Sequence, residues 1–365
     1  MSTEFSPPDA TLDTDPVSGD RRDFLKKSAV ATGAAAAFGL GLGVYDSPGA
    51  WAADLRKTGR GRVVAVEHPN AMQSMSREDG ALVEKMTHEA ILRLTGKSTL
   101  AQAWRELVSP NDTVGIKLNC LAAPGISTSP AMVRAIVKGL QAVGVPNGRI
   151  ILYEQYPSKM EQAKSGFALN EDPAKGPLVR HLGGKDKLTD QGFQGYETQA
   201  AKHASGTSHY ANALKLCTAI ISAPVIKDHN LAGITVGMKS MTHGNINNPH
   251  DFHTHDCNPQ VADIYDHPKI KDKVRVVVCD GLKVLYDGGP MDSKHKVLHN
   301  RIYAATDPVA IDAWGWKVIE ELRKKHGKPP LATRHPTGLF LKRAEALGLG
   351  VGDPARVTFD LKVMA

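Results

Sequence analysis

Histidine and cysteine side chains crowd one short segment of the chain, and their types suit a metal ion. Residues 242–257 contain four imidazoles and one thiol: His243, His250, His253, His255 and Cys257. Imidazole is a good ligand for zinc, copper, iron and nickel, and thiolate extends that range. In an extended segment His253 and His255 would point to the same side. The pattern predicts a transition metal ion, iron or zinc before others, with Cys257 as an additional ligand candidate.

The same segment also fits a polar, asparagine-rich loop whose histidines cap turns or bind an anion. Its spacing matches no standard metal signature such as H-E-x-x-H. The four cysteines form no C-x-x-C pair of the kind found in zinc ribbons and ferredoxins. The metal site and the structural loop are therefore alternative hypotheses for one segment.

A second group of polar residues follows apolar runs that are typical of buried strands. Lys227 and His229 come after one such run, and Lys117 and Asn119 end another. Ligands of open α/β sheets bind at the carboxyl ends of strands. We predict that Lys117, Asn119 and Lys239 bind a small anionic substrate, and that Lys227 and His229 act in acid–base catalysis. The alternative is that each lysine simply extends to solvent.

Asp280 occupies a third strand end, where Asp280-Gly281 follows the apolar residues 274–278. Its carboxylate is a candidate metal ligand or a partner that orients a histidine. Asp-Gly is equally common in plain turns. Asp307 and Asp312 flank the start of a predicted helix, where helix capping is the expected role.

These residues must be positioned by alternating strands and helices. Apolar, β-branched runs predict strands at residues 62–66, 112–118, 149–153, 219–222 and 274–278. Helical spacing predicts helices at residues 82–94, 132–143 and 308–325, the last with Asp307 as N-cap. The pattern predicts an α/β fold with a mostly parallel sheet and helices on both faces. The polar stretch at about residues 158–208 is predicted to be an insertion over the sheet edge.

The first fifty residues have the three parts of an export signal. Arg21 and Arg22 open a twin-arginine pattern, an uncharged Gly/Ala-rich run covers residues 29–44, and a small-residue site lies at residues 50–52. We predict a cleavable signal at residues 1–52, export to the periplasm by the twin-arginine translocase, and a single α/β domain at residues 53–365. The apolar run is shorter than the roughly 20 residues that span a bilayer, so no membrane span is expected after cleavage.

Composition and missing motifs exclude several classes of protein. The formal net charge of +7 is spread along the chain without a run of five like charges, so nucleic-acid binding is not expected. The chain has no P-loop motif, no G-x-G-x-x-G after a strand and no G-x-S-x-G. Nucleotide-binding and α/β-hydrolase functions therefore lose their usual support. The positive charge instead favours attraction of anionic substrates.

Seven short blocks together resemble the domain-of-unknown-function 362 family: residues 114–119, 129–130, 224–229, 237–240, 280–281, 289–290 and 306–312. The resemblance extends from about residue 63 to about residue 325 and implies an α/β fold. Many members of that family look like redox-associated proteins, some with ferredoxin-like cysteine motifs. This chain lacks such motifs, so its cysteine spacing does not support an iron–sulfur cluster.

These observations predict an exported, metal-dependent enzyme acting on a small anionic substrate. The export route and the family favour a redox reaction over hydrolysis. One alternative is a non-catalytic metal or ligand carrier serving a partner oxidoreductase, in which His229 would be dispensable. Another is a disulfide-stabilised binding module, in which all four cysteines would be oxidised: Cys120, Cys217, Cys257 and Cys279. Cys279 lies in the apolar run 276–279, however, which predicts a buried free thiol.

Overall fold

A central sheet of ten strands organises the computed structural model, which describes residues 60–161, 165–335 and 339–365. The predicted signal at residues 1–52 and the predicted domain start at residue 53 lie outside the described residues. The strands of this sheet and of two small hairpins are β1 (Gly61–Glu67), β2 (Met72–Ser74), β3 (Arg77–Glu78), β4 (Val114–Leu118), β5 (Ile150–Glu154), β6 (Leu178–His181), β7 (Ala201–His203), β8 (Gly206–Ser208), β9 (Ala219–Ala223), β10 (Val225–His229), β11 (Gly233–Thr235), β12 (Val274–Leu285), β13 (Lys296–Ala305) and β14 (Val357–Val363).

The sheet is mostly parallel, as the sequence predicts. Its order is β14-β1-β13-β12-β9-β4-β5-β6, and β10 and β11 extend it beside β12. All neighbours from β12 to β6 are parallel, and so are the pairs β1/β14 and β10/β12. Strand β13 is antiparallel to both of its neighbours, and β11 is antiparallel to β10.

Helices cover both faces of this sheet, so the predicted fold class is confirmed. In the described residues they are α1 (Gly80–Thr95), α2 (Leu100–Arg105), α3 (Pro130–Val143), α4 (Pro157–Met160), α5 (Asn212–Leu216), α6 (Gly237–Thr242), α7 (Gln260–Tyr265), α8 (Pro268–Lys271), α9 (Pro308–Lys325), α10 (Leu331–Arg334) and α11 (Leu341–Ala346). Short 3₁₀ turns lie at Asn147–Arg149, Pro249–Phe252, His255–Cys257 and Pro354–Arg356. None of the helices in the described residues is long and apolar enough to cross a bilayer.

The two faces of the sheet form two hydrophobic cores. Helices α1, α2 and α3 pack on one face, and α6, α7, α9 and α11 pack on the other. Along β9, Ile220 belongs to one core and its neighbour Ile221 to the other. Successive side chains of a strand point to opposite faces, so a strand buried on both faces needs a continuous apolar run. This is why the apolar runs identified the central strands.

The sheet continues past the ends of β4 and β5, because the long strand β12 pairs with β10 as well as with β9. Pro224 lies between β9 and β10 in the chain and has no N–H group to donate, but its carbonyl accepts a hydrogen bond from the Asp280 N–H of β12 at 2.8 Å. Strand β12 is twelve residues long and pairs in parallel first with β9 and then with β10. Strand β10 therefore stands beyond the carboxyl edge of the neighbouring parallel strands.

All of the predicted strands and helices are present, as β1, β4, β5, β9, β12, α1, α3 and α9. Helix α9 has the predicted bounds, Pro308–Lys325. The stretch at about residues 158–208 supplies strand β6, which pairs in parallel with β5 as the edge strand of the sheet. Two of its aromatic residues, Phe193 and Tyr196, are buried in the core. The stretch therefore contributes to both the edge of the sheet and its packing.

The four cysteines are free and buried. This confirms the prediction for Cys279 and contradicts the disulfide-stabilised module. Each thiol lies in or beside a strand or helix that packs on the cores, where a cysteine acts as a small apolar side chain.

Asp307 caps helix α9 as predicted, and its loss is expected to destabilise the protein by about 2–3 kcal/mol. Its carboxylate accepts hydrogen bonds from the N–H groups of Val309, Ala310 and Val351 at 2.8, 2.8 and 3.0 Å. Asp307→Ala leaves these three donors unpaired, and urea unfolding measures the cost. Asp353→Ala is the matched control, because Asp353 caps an exposed turn through the Ala355 N–H. Equal costs for the two variants would contradict this account.

Candidate functional site

Strand β10 presents two functional side chains to one side of the sheet and a third to the other. Lys227 and His229 are two residues apart and line the same cavity, whereas Asp228 between them faces the opposite side. All three side chains are buried. Asp228 pairs with Arg334, and its Oδ2 accepts a hydrogen bond from the Gly289 N–H at 3.0 Å. The alternation of one strand thus separates the cavity from the ion pairs that hold the strand in place.

The ends of β4 and β5 supply a buried ion pair beside Lys227. The Lys117 ammonium lies 3.0 Å from Glu154 Oε1 and donates to the Leu118 carbonyl at 2.6 Å. The Lys227 ammonium donates to Asn119 Oδ1 at 3.2 Å. Gly244 allows the close approach of Lys117, since a Cβ there would lie 2.9 Å from the Lys117 Cε.

Helix α6 brings Lys239 to the same place. Its six residues are all buried, and a side chain of helix α9 accepts hydrogen bonds from its first turn. Asp312 Oδ1 accepts hydrogen bonds from the N–H groups of Gly237 at 2.7 Å and Met238 at 3.3 Å. The Lys239 ammonium lies 3.0 Å from His253 Nε2. Asp312 therefore caps a helix, as the sequence indicates, but the helix is α6 and not its own.

These elements enclose a cavity of about 550 Å³ that collects most of the predicted site residues: Lys117, Asn119, Lys227, His229, Lys239, His243, His250 and His253. The His253 ring stacks on His229, with ring centroids 5.5 Å apart, and meets His243 edge-on at 4.6 Å. His250 is exposed and its ring centroid lies 6.1 Å from that of His253. The structure joins the lysine group and the histidine segment, which are two separate patterns in the sequence, in one site.

Burial shapes the protonation of the lysines in this cavity. Burial lowers the pKa of Lys227 to about 7. Attraction by Glu154 opposes this shift, and repulsion by Lys239 adds to it. Burial also lowers the pKa of Lys239 to about 8. An ammonium with such a pKa gains and loses its proton near neutral pH, as a general acid–base group requires.

The hydrogen bonds of His229 show which of its two ring nitrogens carries the proton. Its Nδ1 accepts the N–H groups of Leu231 at 3.1 Å and Ala232 at 3.2 Å, so the proton of the neutral ring is on Nε2. Burial, with added repulsion from Lys239, lowers the pKa of His229 well below its usual value. A neutral imidazole held in this tautomer donates a hydrogen bond and does not abstract a proton. Lys227 is the better placed acid–base group of the pair.

His243, His253 and Cys257 form a group that could hold a metal ion. Each offers one ligand atom, and these atoms all lie within 4.8 Å of one another. His253 Nδ1 donates to the Pro249 carbonyl at 2.7 Å, which leaves the lone pair on Nε2. Two imidazoles and a thiolate with an open fourth position match the ligand chemistry of zinc and iron sites. Burial raises the pKa of the Cys257 thiol to about 11, although Lys239 opposes the shift, so metal binding would have to displace its proton.

Three predicted metal ligands are not brought to this group: His250, His255 and Asp280. The segment around His255 is a 3₁₀ turn with positive φ at His255, Asp256 and Cys257. His255 is therefore exposed and does not share a side with His253, which corrects the assumption of an extended segment. Asp280 accepts the N–H groups of Ser129 at 2.8 Å and Leu282 at 2.9 Å, and it is not among the residues that line the cavity. Its carboxylate joins β12 to the start of α3.

Glu154 and Arg334 are site residues that the sequence did not single out. Glu154 ends a buried strand just as Lys117 does, so the rule for strand ends could have found it. Arg334 pairs with Asp228 from 106 residues away, and no local pattern indicates such a partner.

No curated protein matches this chain. Among solved structures, it is similar to the lactate racemase apoprotein from Thermoanaerobacterium thermosaccharolyticum, with 14% sequence identity and a TM-score of 0.39. That similarity covers 72% of this chain but only 57% of the other protein. Residues 114–317, more than half of the chain, match the family described as Domain of unknown function (DUF362). This confirms the resemblance seen in the short blocks, and the chain belongs to that family.

Proposed function

We propose that this protein is an enzyme that binds a small anionic substrate in the cavity at the carboxyl edge of the sheet. One observation carries the proposal. Three buried lysines, Lys117, Lys227 and Lys239, line one cavity together with a single carboxylate, Glu154. Buried cations are stabilised by pairing with an opposite charge, so this cavity favours an anionic ligand.

In this proposal the position of each residue determines its role. Lys239 and the Nε2–H of His229 would hold the anion, and the Glu154–Lys117 pair would fix the floor of the site. Lys227, which has a neutral hydrogen-bond partner in Asn119, would give or take a proton at its Nζ. The buried position of these groups limits water and strengthens each electrostatic interaction with the substrate.

We further propose that His243, His253 and Cys257 hold a transition metal ion, iron or zinc. Such an ion would supply Lewis-acid or redox chemistry next to the anion. Lys239 now donates to His253 Nε2 at 3.0 Å, so it must turn away from the imidazole when the metal binds. The substrate anion would be a suitable new partner for that ammonium.

The cellular setting of the enzyme is part of the same proposal. The twin-arginine pattern at Arg21 and Arg22 supports export to the periplasm, a route that suits a protein carrying a metal, and the family supports a redox role beside a partner oxidoreductase. A second candidate function is a metal carrier for that partner. The group His243, His253 and Cys257 favours it, because a carrier needs the ligands but not the acid–base residues.

Thermal unfolding in the presence of small carboxylates and phosphates tests the enzyme proposal. We expect anions to raise the melting temperature of the wild type and to have little effect on a Lys227→Met/Lys239→Met variant. For any anion that is turned over, His229→Gln is expected to lower the rate by about 10²-fold or more. Full turnover without His229, or equal stabilisation of the double variant, would contradict the proposal and favour the carrier.

Anion binding is expected to weaken as the pH rises from 6 to 8. The pKa of Lys227 is about 7, so its ammonium is mostly present at pH 6 and mostly lost at pH 8, and the affinity should fall by about tenfold over that range. The titratable groups that act on Lys227 are Glu154, Lys239, Cys120 and Lys117. Isothermal titration calorimetry measures the affinity, and Lys227→Met should flatten its pH dependence. An unchanged slope in that variant would show that another group titrates.

A further inference from the structure

The cations of the cavity are not equally compensated. Glu154 takes up the charge of Lys117, and its own oxygens are occupied, since Oε1 also accepts the Gln155 N–H at 2.6 Å and Oε2 accepts the Cys120 N–H at 2.7 Å. Glu154 attracts Lys227 through space but makes no ion pair with it among the described residues. One of the three ammonium groups is thus neutralised within the protein.

The other two ammonium groups have neutral partners. Lys227 donates to the Asn119 amide oxygen at 3.2 Å, and Lys239 donates to the His253 imidazole at 3.0 Å. Both side chains are almost fully buried, with exposed fractions of 1% and 5%. In the part of the chain that the structure describes, no carboxylate pairs with either of them. When both lysines are protonated, the cavity therefore has an excess of two positive charges.

Two hydroxyl groups at the same cavity are also without partners. Thr235 and Ser240 both line it, and in the described structure neither Thr235 Oγ1 nor Ser240 Oγ has a hydrogen-bond partner, although both atoms are buried. A buried hydroxyl is normally hydrogen-bonded. Both groups can donate a hydrogen bond to an oxygen atom.

We infer that the ligand of this cavity carries two negative charges, as a dicarboxylate or a phosphate monoester does. The inference rests on the proposed function and names the substrate class for it. Each negative charge would pair with one of the two uncompensated ammonium groups, and the remaining oxygens would accept from His229 Nε2 and the two hydroxyls. A monoanion leaves one buried ammonium unpaired, and this cost separates the two classes of ligand.

Matched pairs of ligands test the charge of the occupant. Succinate is compared with succinamate, which has the same length but one carboxylate replaced by an amide, and methyl phosphate is compared with methyl sulfate. Isothermal titration calorimetry at pH 7 should show the dianion of at least one pair binding about tenfold or more tightly than its monoanion. The pair with the larger ratio identifies the carboxylate or phosphate chemistry.

Two variants remove the charges one at a time. Lys227→Met and Lys239→Met keep an unbranched side chain that is one atom shorter and uncharged, and each should bring the ratio of dianion to monoanion affinity close to one. Lys325→Met, at an exposed lysine at the end of α9, is the matched control and should keep the wild-type ratio. Because each methionine removes an uncompensated buried charge, the melting temperature of the free variants should equal or exceed that of the wild type, which verifies that they fold.

The outcomes separate this inference from the proposed function. Equal affinities for dianion and monoanion in the wild type would overturn the dianion assignment and leave the anion site intact. Binding of none of the four ligands would overturn both. A ratio that is unchanged in Lys227→Met and Lys239→Met would overturn the assignment of the two charges to these lysines.

Discussion

Replacing Asp228 with alanine is expected to lower the free energy of unfolding by about 3–5 kcal/mol. The Asp228 carboxylate is completely buried. It pairs with Arg334, lies 3.9 Å from the nearly buried Arg323, and accepts the Gly289 N–H at 3.0 Å. The variant would remove the nearest carboxylate of Arg334, which keeps only Asp287 at 3.6 Å, and would leave the buried Gly289 N–H group without its acceptor; that loss is the main cost. Urea unfolding with linear extrapolation measures it.

Two further variants separate the charge from the hydrogen bond. Asp228→Asn keeps an oxygen for the Gly289 N–H group but loses the ion pair with Arg334, so its cost should be smaller than that of alanine. Asp172→Ala is the control, because Asp172 is about half exposed and its Lys175 partner is 3.8 Å away; exposed pairs of this kind contribute about 1 kcal/mol or less. A cost below about 1 kcal/mol for Asp228→Ala would show that the network does not hold the strand.

The same substitution should also weaken the anion site, because Asp228 fixes the strand that carries Lys227 and His229. Close packing supports this role, since a Cβ at Gly289 would overlap the Asp228 carbonyl oxygen. The anchor extends further, because Arg334 Nε donates to His335 Nε2 at 3.0 Å and His335 Nδ1 lies 2.9 Å from Asp256 Oδ1. One chain of contacts therefore links β10 to the residue that precedes Cys257.

Local patterns predicted the strands and helices of this fold, because the formation of each element depends on residues that are close together in the sequence. The strand at residues 219–222 was identifiable because both of its faces are buried, which requires an unbroken apolar run. The start of α9 was identifiable because Asp307 and Pro308 are an N-cap and a first-turn residue. Strand β6 was missed since an edge strand buries less apolar surface, and its residues 180 and 181 are polar and half-buried.

Contacts between distant segments could not be predicted in the same way. The rule for strand ends placed Lys117 and Lys227 at one edge, because it depends on strand direction alone. The pairing of Lys239 with His253 depends instead on how α6 and the histidine segment fold onto the sheet. The positive φ values at residues 255–257 decide which histidines point inward, and no spacing rule for an extended chain reveals them.

A metal ion would compete with Lys239 for the Nε2 atom of His253, whereas an anion would draw Lys239 away from that atom. In the free protein, Lys239 is a partner of His253 Nε2, the atom that a metal would need. A cation entering beside this ammonium would be repelled, whereas an anion that accepts the Lys239 N–H groups would release the imidazole and offset the added charge. Removing the ammonium should therefore favour metal binding, which gives the metal proposal a variant that strengthens the site as well as variants that weaken it.

Protein purified from its native source is expected to contain about one equivalent of iron or zinc, and His253→Ala or Cys257→Ser should lower that content by at least about tenfold. Each substitution removes one of three clustered ligand atoms. Inductively coupled plasma mass spectrometry measures the metal. Lys239→Met should retain metal at least as well as the wild type, because it frees His253 Nε2.

The matched controls come from the same segment. His255 is exposed on the 3₁₀ turn, and His250 is exposed at the cavity but outside the group of three. His255→Ala and His250→Ala should therefore keep the metal. Loss of metal in either control would show that the segment binds the ion in another arrangement. A wild type without metal above background would refute the metal site and leave Lys227 and Lys239, the two lysines with neutral partners, as the chemistry of this cavity.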